Sequence, residues 1–178
     1  PSEAGTTRSC HRRVGACLDE AGIPWGALSD SAVEGGKLAG FDTAVFPYNA
    51  RLSDREVAEI RSFVASGGKL LWFYTLDRRL AALLGLTVGE LRKPAYDGQF
   101  SRLGFPAGGP AGLPASVLQD SWHALDVAPA KGTEVIGHWR DAGGRDTGLP
   151  AATLNANGVW FAHVLLSGDL SAKSQMLL

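Results

Sequence analysis

Cysteine is scarce in this chain: Cys10 and Cys17 are the only two in 178 residues. That count excludes a small scaffold held by disulfides, and neither cysteine belongs to a CxxC pair of the kind that opens a zinc site or a redox motif. Their seven-residue spacing falls on a predicted helix, two turns apart and too distant for a bridge. Two unpaired thiols suit a reducing compartment, and the expected location is cytoplasmic. Charge of one sign is lacking as well. Seventeen Lys+Arg against eighteen Asp+Glu leave a net charge of −1, which offers no field to nucleic acid or an anionic membrane surface. Arg12-Arg13, Arg78-Arg79 and Arg92-Lys93 are dispersed pairs rather than a stripe, so no nucleic-acid partner is expected. Long apolar runs are missing: residues 69–74 and 159–166 have strand length, far short of the about 20 residues of a membrane span. No membrane partner is expected.

Ligand-binding patterns are absent in the same way. His11, His123, His138 and His163 never recur as HxxxH or HxH, and residues 141–146 lack the spacing and terminal Glu of a calcium loop, reading instead as a β-turn between strands. Gly35-Gly36 and Gly67-Gly68 stand outside the contexts that wrap phosphates. No metal and no cofactor is expected.

What is present is a loop-rich folded chain, with 23 glycines, nine prolines and 45% hydrophobic residues, enough apolar material for a sizeable core. Val14, Cys17, Leu18 and Ala21 recur at three- and four-residue spacing and predict a helix over residues 9–21 that stops at Gly22. Residues 43–47 form an unalternated apolar run suited to a central parallel strand. Ser53 and Glu56 make a capping box, opening a helix over 54–65 that carries Val57, Ile60, Phe63 and Val64 on one side and ends at Gly67-Gly68. A second apolar strand over 69–74 and a helix holding Leu76, Leu80, Leu83 and Leu84 follow. Helix, strand, helix, strand, helix in ninety residues implies parallel strands joined by right-handed crossovers. Beyond Leu86 the texture changes. Residues 94–114 read as loop or short edge strands, 134–139 as an alternating strand, and 151–166 as a hairpin whose turn ends in Asn157-Gly158. A last helix begins after Gly168, capped by Asp169 or Ser167. The predicted fold class is α/β, a flavodoxin-like three-layer α/β/α arrangement with a mostly parallel sheet and a β-rich C-terminal extension. Residues 1–178 form one domain, with an α/β core half over 1–90 and a β-rich half over 91–178. Because it opens on Pro1 rather than Met, the chain reads as part of a larger protein.

Residues 18–25 (LDEAGIPW), 38–47 (LAGFDTAVFP), Leu52-Ser53 and 63–71 (FVASGGKLL) together resemble the class I glutamine amidotransferase-like superfamily. The likeness is strongest to its non-catalytic branch associated with glycoside hydrolases, the β-galactosidase trimerisation-like domains, and covers about residues 14–86. The resemblance implies a strand before the first helix, and residues 1–7 contain none. It also implies, for an active amidotransferase, a cysteine on a strained turn after the second apolar strand and a histidine in reach as base. The matching turn, Tyr74-Thr75-Leu76-Asp77, has no cysteine; Thr75 offers a hydroxyl and Asp77 a carboxylate. The histidine maps to His163, and the carboxylate implied two residues later is Leu165.

The resulting expectation is a catalytically inactive accessory domain of a carbohydrate-active, glycoside-hydrolase-like protein, serving assembly or cleft formation. Its partners would be further copies of itself or a glycoside-hydrolase domain of the same protein. Two alternatives stand beside it. A divergent hydrolase would have its site at the C-terminal ends of the parallel strands, where Thr75, Asp77 and His163 are the catalytic candidates and Tyr48, Asn49 and Tyr74 would line the ligand. A carbohydrate-binding module would stack sugars on Trp122 and Trp139, two of five tryptophans, both flanked by polar residues. Trp72, inside an apolar strand, is expected in the core.

Overall fold

The computed structural model describes residues 3–178; Pro1 and Ser2 lie outside them. Its frame is a seven-stranded mixed sheet. α1 (Glu3–Glu20) is followed by a short α2 (Asp30–Glu34), a 3-10 turn (Lys37–Gly40) and β1 (Thr43–Phe46). α3 (Asp54–Ala65) crosses over to β2 (Lys69–Phe73), which pairs with β1 in parallel, Ala44 opposite Leu70 and Phe46 opposite Trp72. The predicted capping box is formed: the Ser53 N–H donates to Glu56 Oε2 at 2.7 Å, and the Glu56 N–H donates to Ser53 Oγ at 3.1 Å. Two orphan amides of the first turn are thereby satisfied.

The helix expected around Leu80 is shorter than its leucine spacing suggests. α4 covers Arg78–Ala81 and tightens into a 3-10 turn, Ala82–Leu84, that ends on Gly85. β3 (Leu86–Arg92) then pairs antiparallel with β6 (Ala124–Pro129) as a separate two-stranded sheet. β4 (Arg102–Gly104), β5 (Ser116–Leu118), β7 (Glu134–Arg140), β8 (Asp146–Asn155) and β9 (Gly158–Phe161) join the main sheet in the order β1-β2-β9-β8-β7-β4-β5. β2 and β9 are parallel, and every pair from β9 outward is antiparallel. The β-rich half is therefore a continuation of the parallel half within one sheet. α5 (Leu170–Met176) packs against α1, and α2 packs against α3.

The β8–β9 hairpin turns through Ala156 and Asn157, and Gly158 explains why it closes there. Its φ is +149°, and a Cβ at this position would lie 1.9 Å from the Leu70 carbonyl oxygen. Only glycine lets β9 come that close to β2. β9 ends at Phe161, so His163 stands in the loop beyond the strand. Asp169 precedes α5 with φ +57° and makes no cap to it; its Oδ2 instead accepts from the Leu118 N–H at 2.8 Å, tying the last helix to β5.

Trp72, Phe73, Leu70, Trp160 and Phe161 are at most 2% exposed and form the centre of the core. Phe46 stacks on Trp72 at 4.0 Å between centroids, and Phe73 on Phe161 at 4.9 Å. Each such side chain contributes about 1.5–3 kcal/mol relative to exposure. Cys10 and Cys17 are both buried and free, and burial raises both thiols, so they stay protonated. Among the described residues no helix is long and apolar enough to cross a membrane.

Candidate functional site

Three parallel strands end on the same side of the sheet, and the residues just past each end converge there. Tyr48 follows β1, Tyr74 follows β2 and His163 follows β9. Tyr74 carries the main conformational oddity. Its φ is +62°, a left-handed conformation that costs a bulky side chain about 1–3 kcal/mol and clusters at functional sites. The surroundings hold it in place: its N–H donates to the Phe161 carbonyl at 2.8 Å, and its own carbonyl accepts from Trp160 Nε1 at 3.2 Å.

The bend throws the Tyr74 ring across the strand ends. Its hydroxyl shares a 2.6 Å hydrogen bond with His123 Nε2, and its ring meets His123 edge-on at 5.2 Å and His163 at 5.4 Å. Tyr48 lies nearly parallel to it at 6.2 Å. Burial, with Tyr48 beside it, pushes the Tyr74 phenol up, so the group stays protonated near neutrality.

His163 is 2% exposed. Its Nδ1 donates to the Val164 carbonyl at 3.0 Å, which places the ring proton there and leaves Nε2 with a free lone pair. Gln119 braces the same point, donating to the Val164 carbonyl and lying 3.5 Å from His163 Nδ1. Burial, reinforced by the neighbouring His123 and Arg13 and opposed by the Val164 hydrogen bond, lowers the imidazole to about 4. Burial also lowers His123. Trp122 lies over the pair, edge-on to His163 at 4.9 Å and tilted on His123 at 5.3 Å, with 61% of its surface exposed. The site is thus two neutral imidazoles, a phenol and a partly covered indole, able to accept a proton at His163 Nε2 and to stack a flat or apolar ring face.

The other sequence candidates fall as follows. Thr75 Oγ1 is buried without a hydrogen-bond partner, while its carbonyl takes the Trp72 indole N–H. Asp77 is engaged by α4: its Oδ1 accepts from the Arg79 N–H at 2.8 Å, and Oδ2 pairs with the Arg79 guanidinium at 2.7 Å. Those bonds hold its carboxyl below the usual range. Asn49 is half-buried in the loop after β1. The expectation for Trp139 is corrected: it is 0% exposed, packed against Phe100 at 5.2 Å, and its indole Nε1 is buried without a partner. Its face cannot meet a sugar, because the alternation of β7 turns it inward. Leu165, where a carboxylate was implied, is 1% exposed and part of the core. His123 and Gln119 belong to the cluster although neither was a sequence candidate; their one signal was proximity to Trp122 in residues 119–123. Among the described residues no three His, Cys, Asp or Glu side chains come together as metal ligands.

No family model matches this sequence, and no curated protein matches it. Solved structures do. The chain is similar to alpha-L-fucosidase isoenzyme 2 from Paenibacillus thiaminolyticus, with a TM-score of 0.68 and 16% identity over 94% of this chain. It spans 28% of that fucosidase. A ThuA-like protein from Bacteroides uniformis matches with a TM-score of 0.61 and 15% identity, over 85% of this chain and 72% of that one. A glutamine amido transferase from Methylobacillus flagellatus matches at 0.52 and 14%, over 89% and 66%. At these identities the likeness shows the fold, which is the flavodoxin-like amidotransferase fold.

Proposed function

We propose that this chain is an accessory domain of a carbohydrate-active protein, without amidotransferase chemistry of its own, that serves assembly or forms part of a cleft beside a glycoside-hydrolase domain. One observation carries the reading: the strained bend after β2, where the resemblance calls for a nucleophilic cysteine, holds Tyr74, its phenol hydrogen-bonded to His123. A protonated phenol is a poor substitute for a thiolate, and both thiols of the chain are buried in α1. The likeness to a stretch of a fucosidase that continues well beyond it supports the carbohydrate setting.

The test has two readouts on the same preparation. Ammonia release from glutamine is expected at the buffer rate, and light-scattering mass over a concentration series is expected to rise above the 18.7 kDa monomer. Saturable ammonia release lost in Tyr74→Ala would overturn the absence of amidotransferase chemistry. A strict monomer at every concentration would overturn self-association and leave the cleft-forming role.

A second reading rests on Trp122. Its exposed indole beside the buried His163 and the half-buried His123 is a surface on which a sugar ring can stack. Quenching or a blue shift of tryptophan emission by millimolar oligosaccharide, abolished in Trp122→Ala, is the expected sign; emission unmoved by sugar removes the reading.

A further inference from the structure

The cluster past the strand ends holds donor atoms that neither reading above uses. Tyr74, His123 and His163 meet pairwise: ring centroids lie 5.2 Å apart for Tyr74 and His123, 5.4 Å for Tyr74 and His163, and 4.9 Å for the two imidazoles, which stand nearly perpendicular at 82°. Each residue comes from a different place in the chain, Tyr74 just after β2, His123 just before β6 and His163 in the loop after β9. No local spacing announces such a set, and its third donor is a phenol, so it stands apart from any grouping of His, Cys, Asp and Glu alone.

Two bonds fix which atoms are free. The Nδ1–H of His163 is spent on the Val164 carbonyl at 3.0 Å, so the lone pair of Nε2 lies across the ring from that bond, without a hydrogen-bond partner among the described residues, on a side chain only 2% exposed. A buried acceptor left unmet is costly, and a cation would meet it. An imidazole held through Nδ1–H by a backbone carbonyl is also the arrangement that orients Nε2 toward a metal. On the other side of the cluster the Tyr74 hydroxyl and His123 Nε2 are already 2.6 Å apart. For an ion to take the place of the shared proton, those two atoms need only part to about 3.3 Å, the separation of two donors on a tetrahedral ion at about 2.0 Å. Two imidazoles on such an ion have centroids about 5 Å apart, and the spacing of His123 and His163 is 4.9 Å.

We propose that His123 Nε2, His163 Nε2 and the phenolate oxygen of Tyr74 form a site for a divalent transition ion of the zinc and copper class. Imidazole and phenolate donors suit such ions and select against calcium and magnesium, which take carboxylate, carbonyl and water oxygens. Binding expels the phenol proton, so one proton leaves for each ion bound. Three protein donors leave a fourth position for water, beside Trp122, whose indole lies against both imidazoles. The inference goes beyond the accessory-domain reading, which stands whether or not the ion binds, and its test shares no readout with ammonia release or with mass.

The experiment titrates the full chain with Cu(II) and with Zn(II) in non-chelating buffer. One equivalent is expected to bind with a Kd of about 1 μM or tighter, copper more tightly than zinc. The copper form is expected to show a visible phenolate-to-copper charge-transfer band, and its affinity to rise about tenfold per pH unit near neutrality as the phenol proton is displaced. Tyr74→Phe keeps the ring and its packing and is expected to abolish both the band and the pH slope. His123→Gln and His163→Gln are each expected to weaken binding at least about tenfold, whereas His138→Gln, on β7 and facing Asp146, is expected to change nothing. No charge-transfer band on the native chain, a band that survives Tyr74→Phe, or binding lost in His138→Gln would overturn the proposal.

Discussion

The Tyr74 hydroxyl and His123 Nε2 lie 2.6 Å apart although 49 residues separate them in the chain. That bond joins the end of the parallel strands to the loop before β6, and its loss can be read directly. Tyr74→Phe keeps the ring and the backbone and removes only the hydroxyl. It is expected to cost about 1 kcal/mol in urea denaturation, with m unchanged. An unchanged midpoint would mean that the bond contributes nothing.

Tyr74 also pays for its φ of +62°. Tyr74→Gly relieves the backbone strain and loses the packing, whereas Tyr74→Ala loses the packing alone, so the glycine variant is expected to be the more stable of the two by about 1 kcal/mol. Equal midpoints would argue against strain at the bend.

His163 makes stability depend on pH in a defined direction. Its folded imidazole titrates near 4, against an ordinary value of 6.5, so between those limits the unfolded chain binds the extra proton. Stability is full above about pH 6.5 and falls as pH drops toward 4, by about 3 kcal/mol over the window. His163→Gln is expected to flatten that part of the profile, measured by chemical denaturation at several pH values. His123, lowered by burial, acts with the same sign, so a residual slope is expected to remain.

Asp77 separates a structural role from a chemical one. It caps α4 and pairs with Arg79, so Asp77→Ala is expected to cost about 1 kcal/mol, while Asp77→Asn retains most of the cap. Equal destabilisation by both would put the weight on the ion pair.

At Gly158 the outcome is set by backbone contact. Gly158→Ala would bring a Cβ to 1.9 Å from the Leu70 carbonyl oxygen, and a loss of several kcal/mol is expected, at least about 3. Gly132, also at positive φ but with open space around its Cβ position, serves as the control: Gly132→Ala carries the backbone penalty alone.

What the sequence disclosed was local. The Ser53–Glu56 box, the unalternated runs that become β1 and β2, and the Asn-Gly closure of the last hairpin are each decided by neighbours within a few residues. The pairing of β3 with β6 was illegible because β3 is mostly exposed and its partner lies some 35 residues on, so neither run shows an apolar period. The candidate site was half legible. Its strand-end positions follow from parallel topology, which is why Tyr48, Tyr74 and His163 could be placed. The bend at Tyr74 could not be read, since a left-handed tyrosine leaves no mark without a neighbouring glycine. His123 reaches the cluster only through tertiary packing. Trp139 misled because polar neighbours on an alternating strand occupy the opposite face.

The place of β9 in the sheet has a consequence for synthesis. Although it is the last in chain order of the nine strands among the described residues, it sits between β2 and β8, at the junction of the parallel and antiparallel parts. Until residue 161 has left the ribosome, the nascent chain holds two incomplete sheet fragments, each with an apolar flank that only β9 can close. The sheet is therefore expected to close only after β9 has emerged, and any truncation ahead of Gly158 should yield a chaperone client rather than a shortened version of the same fold.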